Sequence, residues 1–385
     1  MTFLVLGAGM MGSAAAYDLA KASPDFTVLL ADREFERAVA AAKAIGPNVR
    51  PMQLDVRDGE SLRAALHKCA VVVSAVSYSV NESVTRAAIE AGVHMCDLGG
   101  NNDVVERQLR LDAEARARNV TIVPNCGLAP GLINVLAMTG LKAFDSVDAI
   151  HLRVGGLPQH PHPPLQYQIV FSAEGLLNEY LEPAEILESG ELRTVPSMTG
   201  LEELTFPPPY GRLEAFYTSG GLSTLTRSLR GKVRTLDYKT IRYPGHCEKF
   251  KLLLDLGFAA SEPLVGGGGV RTSRELFTEL LKRRLSSDDS DVVLARATLQ
   301  GIKNAKRQTL VYEFVDAYDA ETRITAMMRT TAFPTAITAL MIARGTITQR
   351  GVMPQELCVP GQPMIRELAQ RGIVITSRVS DETPR

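Results

Sequence analysis

The densest polar stretch of the chain is Lys239-Thr-Ile-Arg242-Tyr243-Pro-Gly245-His246. An arginine in such a stretch can take a carboxylate through two parallel hydrogen bonds, which suits an amino-acid ligand. An imidazole titrates near neutrality, so His246 is the preferred general base, with Lys239 and Asp97 as the other candidates. Side chains alternate along a strand, so Lys239 and Tyr243 share one face and Arg242 takes the other unless the strand ends there. Upstream, Glu214-Ala-Phe-Tyr217-Thr-Ser219-Gly220-Gly221 reads as a strand ending in a hydroxyl and two glycines. Ser219 and the Gly220 backbone can join Arg242 on a carboxylate, Tyr243 can line the same site, and Glu214 can hold an ammonium group. The competing reading is a solvated strand edge, which also gathers lysine and arginine.

A second chemical signal lies at the start of the chain. Leu4-Val-Leu-Gly7-Ala-Gly9-Met10-Met11-Gly12 runs three apolar residues into a G-x-G-x-x-G turn, followed by a run of small residues. Gly7 permits the turn, Gly9 lets a pyrophosphate approach the backbone, and Gly12 lets helix and strand pack closely. The free N–H groups of Met10 and Met11 at the helix start favour an anion. A second apolar strand ends at Asp32, twenty residues after Gly12, where a carboxylate can receive ribose hydroxyls. It would repel a 2′-phosphate, so NAD is the expected cofactor; Arg33 could instead stack on the adenine or pair with such a phosphate. Further polar residues close later strands: Asp55, Ser77-Tyr78, Asp97-Leu-Gly99-Gly100 and Asn125-Cys126. These are cofactor-side candidates, although Asp97 can equally cap the next segment and Cys126 can be a small buried hydrophobe.

The elements that must position these groups follow from the pattern. Strand and helix signals alternate over roughly the first 125 residues, giving six strands linked by helices. That is a doubly wound parallel sheet of the Rossmann type, with ligands beyond the carboxyl ends of its strands. A helix over 104–119 precedes the sixth strand, and another over 132–144 follows it. From Val147 the strands lengthen and alternate, with a hairpin over 292–299 and 309–319, a strand beside it over 323–329, and a capping box at Thr272-Ser-Arg-Glu275. This predicts an inserted α+β domain on a mixed sheet. The expected divisions are 1–130 for the dinucleotide-binding domain, 131–332 for the substrate and oligomerisation domain, and 333–385 for a segment returning to the first domain. Gly266 to Gly269 reads as a flexible connector.

Composition narrows the function classes. A net charge of −1 gives no support for nucleic-acid binding, and no apolar run approaches the length of a membrane span. Five scattered cysteines and a start that leads straight into a strand point to reduced thiols in the cytoplasm. His160-Pro-His162 lacks companion ligands, so no metal is expected. The apolar second domain suggests a homo-oligomer.

Seven stretches carry a family resemblance: Gly7–Gly12, Asp97–Gly100, Gly127-Leu-Ala-Pro-Gly131, Gly155-Gly-Leu-Pro158, Phe171-Ser-Ala-Glu-Gly-Leu-Leu177, Thr218–Gly221 and Lys239–His246. Together they resemble the saccharopine dehydrogenase-like family, and within it the lysine 6-dehydrogenases. The resemblance implies NAD and oxidative deamination of the L-lysine ε-amine. The product, 2-aminoadipate 6-semialdehyde, closes to Δ1-piperideine-6-carboxylate. Saccharopine reductases are similar but commonly carry an acid in a Gly-Leu-Asp-Pro-Gly motif and a cysteine before Gly-Gly-Leu-Pro. Here those positions are Ala129 and Val154. The alternatives are reductive C–N bond formation, as in saccharopine or carboxynorspermidine synthesis, and a non-catalytic NAD-binding sensor.

Overall fold

A computed structural model describes residues 1–266, 269–286 and 289–381. The chain forms two compact units: Met1–Phe144 with Ser223–Ser228 and Met328–Ile375, and Asp145–Leu222 with Leu229–Met327 and Thr376–Arg385.

In the first unit, β1 (Thr2–Leu6), β2 (Thr27–Asp32), β3 (Val49–Gln53), β4 (Val71–Ser74), β5 (His94–Asp97) and β6 (Thr121–Val123) are joined by a two-residue strand, Gly351–Val352. The order is Gly351–Val352, β6, β5, β4, β1, β2, β3, and every pair is parallel. β1 and β4 read as unbroken apolar runs because both faces of a parallel sheet are covered; Leu4, Leu6 and Val72 share one core with Leu62, Val84 and Ile89 from the helices. Strand order runs outward in opposite directions from β1 and β4, so the switch point lies between them, where the glycine turn begins.

The second unit holds β7 (Ser146–Pro158), β8 (Ala184–Glu188), β9 (Glu191–Val195), β10 (Glu202–Phe206), β11 (Gly211–Tyr217), β12 (Thr235–Arg242), the small ribbon β13 (Pro263–Gly266) and β14 (Gly269–Thr272), and the hairpin β15 (Asp291–Lys303) and β16 (Lys306–Ala317). A nine-stranded mixed sheet forms, with β7 and β12 parallel and the other pairs antiparallel. Phe216 packs with Leu176, Tyr180, Phe250 and Phe277 of the three helices Ala173–Leu181, His246–Asp255 and Ser273–Leu285. By alternation, Leu213, Ala215 and Ile241 lie on the opposite face, in a separate cluster with Tyr243. The expected capping box forms: Thr272 accepts from Glu275 N, and the Glu275 carboxylate accepts from Thr272 N.

Several expectations need correcting. The segment 104–119 is two helices, Asn102–Leu109 and Asp112–Ala117. Asp112 at the break accepts a hydrogen bond from Val352 N at 2.9 Å. The helix Leu132–Leu141 belongs to the first unit, so the boundary falls after Phe144 and not at 130. No strand forms over 323–329; a helix starts at Ala326, because the Asp291 carboxylate accepts from Ala326 N (2.7 Å) and Met327 N (2.9 Å) and caps its first turn. The chain returns to the first unit at Met328, but its last strand, Thr376–Asp381, does not stay there. It adds antiparallel to the edge of β16. The ends of the expected connector 266–269 lie in β13 and β14, and residues 267 and 268 fall outside the described residues. Among the described residues no helix is long and apolar enough to cross a membrane, and no group of three or more His, Cys, Asp or Glu is placed to hold a metal ion.

Candidate functional site

β1 delivers the chain into Gly7 at φ +96°, where a Cβ would lie 2.7 Å from the Ala75 carbonyl oxygen. A Cβ on Gly12 would lie 1.7 Å from the Gly7 oxygen, so this glycine sets the closeness of helix and strand. Gly9 differs: a Cβ there would meet nothing within 4 Å. The backbone amides of Gly9, Met10 and Met11 take no acceptor among the described residues, and the Met10 side chain is exposed. Three unpaired N–H groups at the start of a helix form an open anion cradle, which fits a dinucleotide pyrophosphate. Asp32 closes the cradle from β2: one carboxylate oxygen accepts from Ala8 N (2.8 Å) and the other from Glu34 N (2.9 Å). Each oxygen keeps a second lone-pair direction for a ribose hydroxyl. Arg33 points to solvent beside Glu34.

Other strand-end candidates are distributed unevenly. Tyr78 is partly exposed and packs on Gly100, while Ser77 accepts from Ser79 N and bonds its hydroxyl. Asp55 is engaged by Arg57, whose hydrogen bonds hold its carboxyl down at about 2. Asp97, expected as a base, is fully buried and serves the fold. It accepts from Gly99 N (2.7 Å), Asn125 N (3.2 Å) and Gln108 Nε2 (2.7 Å), so it ties the ends of β5 and β6. Gly99 is required by this arrangement, because a Cβ would lie 1.8 Å from Asn125 Oδ1. Cys126 is buried, donates to the Val123 carbonyl, and has its thiol pKa pushed up by burial. Its side chain is an interior thiol.

In the second unit β12 divides its polar residues by parity. Lys239 bonds Glu202 Oε2 at 2.6 Å and lies 4.8 Å from the centre of the Tyr217 ring. Arg153 on β7 shares Glu202 and bonds Asp237 at 2.5 Å. Against the upward pull of burial, hydrogen bonds from His151 and Arg153 hold Asp237 at about 2. Lys239 is therefore committed to an ion-pair network, and the expected role as a base does not fit. Tyr243 packs in the apolar cluster of the same face and donates to the Pro158 carbonyl at 2.9 Å. It is also distant from the opposite, Arg242-bearing face.

Arg242 is 2% exposed and has no carboxylate partner among the described residues. Its guanidinium lies 4.6 Å from the Tyr167 ring centre and 5.7 Å from that of Tyr180. Nε donates to Tyr180 Oη at 2.8 Å and Nη1 to the Ile241 carbonyl at 2.8 Å. The buried Tyr167 hydroxyl has no hydrogen-bond partner, and burial pushes its pKa up to about 12. Glu179 contributes the nearby acid: burial raises its carboxyl to about 7, with Arg242 opposing the rise. Ser219 N donates to the Glu179 carbonyl at 3.0 Å, and Gly220, at φ +88°, leaves open space where a side chain would stand.

His246 and Glu214 take other positions than expected. Both His246 ring nitrogens are engaged, by Tyr180 Oη (3.0 Å) and the Leu165 carbonyl (2.9 Å). Burial, then the Arg242 charge, lowers its pKa to about 3, so it is neutral and has no nitrogen left for a substrate proton. Glu214 accepts from Gly245 N (2.8 Å) and Cys247 N (2.6 Å) and caps the helix His246–Asp255. Sequence reasoning missed Glu179, Tyr167, Tyr180 and Glu202. One signal was present: Glu179 stands on the same helix as Leu176, Leu177 and Tyr180, just beyond the Phe171–Leu177 motif.

One unit carries a parallel sheet with a glycine turn of the dinucleotide-binding type, and the other a mixed sheet with a buried arginine that has no carboxylate partner among the described residues. Residues 3–123 match the saccharopine dehydrogenase NADP binding domain, and residues 127–373 match the saccharopine dehydrogenase C-terminal domain. The chain belongs to the saccharopine dehydrogenase family. It is 22% identical to the saccharopine dehydrogenase [NADP(+), L-glutamate-forming] of Schizosaccharomyces pombe over 99% of both proteins. It is 24% identical to the Pyricularia oryzae protein of the same name, over 70% of this chain and 62% of that protein. The fold matches apo saccharopine dehydrogenase (L-Glu forming) from Saccharomyces cerevisiae with a TM-score of 0.81 at 20% identity, over 98% of this chain and 99% of that one.

Proposed function

We propose that the chain is an NAD-dependent oxidoreductase that deaminates the ε-carbon of L-lysine. One observation carries this reading. Among the described residues, three arginine or lysine side chains of the second unit are buried: Arg153, Lys239 and Arg242. The first two are neutralised by Glu202 and Asp237, and Arg242 alone of the three lacks a carboxylate. A buried guanidinium is costly unless paired, so a ligand carboxylate is its natural partner. One such position suits a substrate with one amino-acid head, as in lysine. Saccharopine joins two such heads and would call for a second anion site.

Arg242 and the Tyr167 hydroxyl would hold the α-carboxylate. Glu179, close enough to Arg242 to feel its charge, would take the α-ammonium in place of Glu214. Gly9, Met10 and Met11 would cradle the pyrophosphate and Asp32 the adenosine ribose, which favours NAD. When bound, NAD supplies the hydride acceptor. Overall, lysine, water and NAD+ give the semialdehyde, ammonium, NADH and a proton. The ε-amine must be neutral before its carbon gives up hydride, and His246, Lys239 and Asp97 are each committed to protein partners. The neutral amine then comes from solution equilibrium, and kcat/KM should climb with pH toward the lysine pKa of ~10.4.

The relatives' names supply a second reading, NADP-linked saccharopine chemistry. Nicotinamide absorbance separates the two. Lysine-dependent NAD reduction with ammonia release is expected. Silence with lysine, but glutamate-dependent NADPH oxidation in the presence of 2-aminoadipate 6-semialdehyde, would replace the first reading with the second.

A further inference from the structure

His246 is 1% exposed and sits between aromatic rings, stacked on Phe216 (6.3 Å between centres, 8°) and Phe250 (5.5 Å, 26°). For a neutral ring, its hydrogen bonds have one consistent direction. The Leu165 carbonyl can only accept, so Nδ1 carries the ring proton. Nε2 of a neutral ring is then bare and must accept from the Tyr180 hydroxyl. With its proton committed to His246, the Tyr180 oxygen offers lone pairs to Arg242 Nε–H. Nε and Nη1 of the guanidinium are thereby engaged, and Nη2 has no acceptor among the described residues.

We propose that His246, acting through Tyr180, fixes the orientation of the Arg242 guanidinium so that its Nη2 edge is presented to a substrate carboxylate. His246 and Tyr180 are positioning residues, and the proposal rests on the reading that Arg242 receives that carboxylate. If the imidazole carried a proton on Nε2, it would donate to Tyr180, and the hydroxyl proton would lose the acceptor that holds it away from Arg242. The neutral ring in this one tautomer is therefore part of the device.

Two substitutions at one position separate this role from simple packing. His246→Phe keeps the aromatic stack and removes the acceptor. His246→Gln gives up the stack but retains a carbonyl acceptor and an amide donor. The KM for L-lysine should rise about tenfold in H246F, corresponding to about 1.4 kcal/mol, with a smaller change in kcat and an unchanged KM for NAD. Tyr180→Phe, which cuts the same connection, should match H246F, and H246Q should recover most of the loss. The reverse order, with H246F intact and H246Q impaired, would mean that the ring only fills the core. A 15N spectrum of histidine-labelled protein gives a readout independent of turnover. The resonance lost in H246Q should be that of a neutral ring protonated on Nδ1 from pH 5 to 9, and a protonated ring or the Nε2–H tautomer would overturn the proposal. Arg242→Lys separates the two levels. If it leaves the lysine KM unchanged, the carboxylate reading fails at Arg242 itself. If it raises that KM while H246F and Y180F do not, only the positioning role fails.

Discussion

β12 carries two buried cations three residues apart, Lys239 and Arg242, on opposite faces of one sheet. On the first face, Lys239 and Arg153 share Glu202, and Asp237 completes the neutralisation of Arg153. On the second, Arg242 has hydrogen bonds to a phenol and a carbonyl, two flanking tyrosine rings, and no ion pair. Burial is nearly the same, so burial does not separate a structural charge from a functional one. The partners do. A saturated cluster has already offset its desolvation, whereas an unsaturated guanidinium gains most when a ligand brings the missing charge.

That contrast can be broken first on its saturated side. Asp237→Ala leaves Arg153 buried with Glu202 as its one remaining carboxylate. Urea unfolding should show a loss of about 3–5 kcal/mol, the usual consequence of stranding a buried charge. The KM for lysine should stay within about twofold, and a loss below about 1 kcal/mol would show that the network does not support the fold. Arg242→Leu tests the other side. Stability should hold or rise, because an apolar side chain among tyrosines replaces an unpaired charge. The lysine KM should climb about 100-fold, equivalent to about 2.7 kcal/mol. If R242L unfolds as readily as D237A, the two faces are alike and Arg242 is structural.

Legibility in the sequence followed the range of the contacts. The glycine turn, Asp32 and the parallel sheet were readable because each depends on residues close in sequence and on the period of two or of 3.6. The parity of β12 was also readable: alternation set Arg242 apart from Lys239 and Tyr243, and the two faces are so divided. What Lys239 does was not, because its carboxylate partner lies 37 residues away on β10. His246 read as a free base for the same reason. Its two partners, Leu165 and Tyr180, come from separate segments 81 and 66 residues upstream. The last strand was missed because Thr376–Asp381 is exposed throughout and carries no apolar face to declare it.

The smallest effect expected is a pH dependence that two neighbours of Arg242 nearly cancel. His246 is lowered from 6.5 to about 3, so between those values the unfolded chain binds a proton that the native ring refuses. Stability from this group rises with pH through that window and is lost as pH falls. Glu179 is raised from 4.5 to about 7, so the native carboxyl holds a proton that the unfolded chain has released. Its contribution is present below 4.5 and is lost as pH rises toward 7. The slopes, each about 1.4 kcal/mol per pH unit, oppose one another where the windows overlap. From pH 4.5 to 6.5 the contributions of these two groups to urea stability should therefore nearly cancel. Removing either partner exposes the other. Relative to the native chain, H246F should lose stability as pH rises across this range, and Glu179→Gln should gain it. Parallel profiles in the two variants would remove both groups from the titration. Opposite slopes would place a neutral imidazole and a protonated carboxyl beside the one buried guanidinium of β12 that lacks a carboxylate, an environment arranged to leave its charge for the substrate.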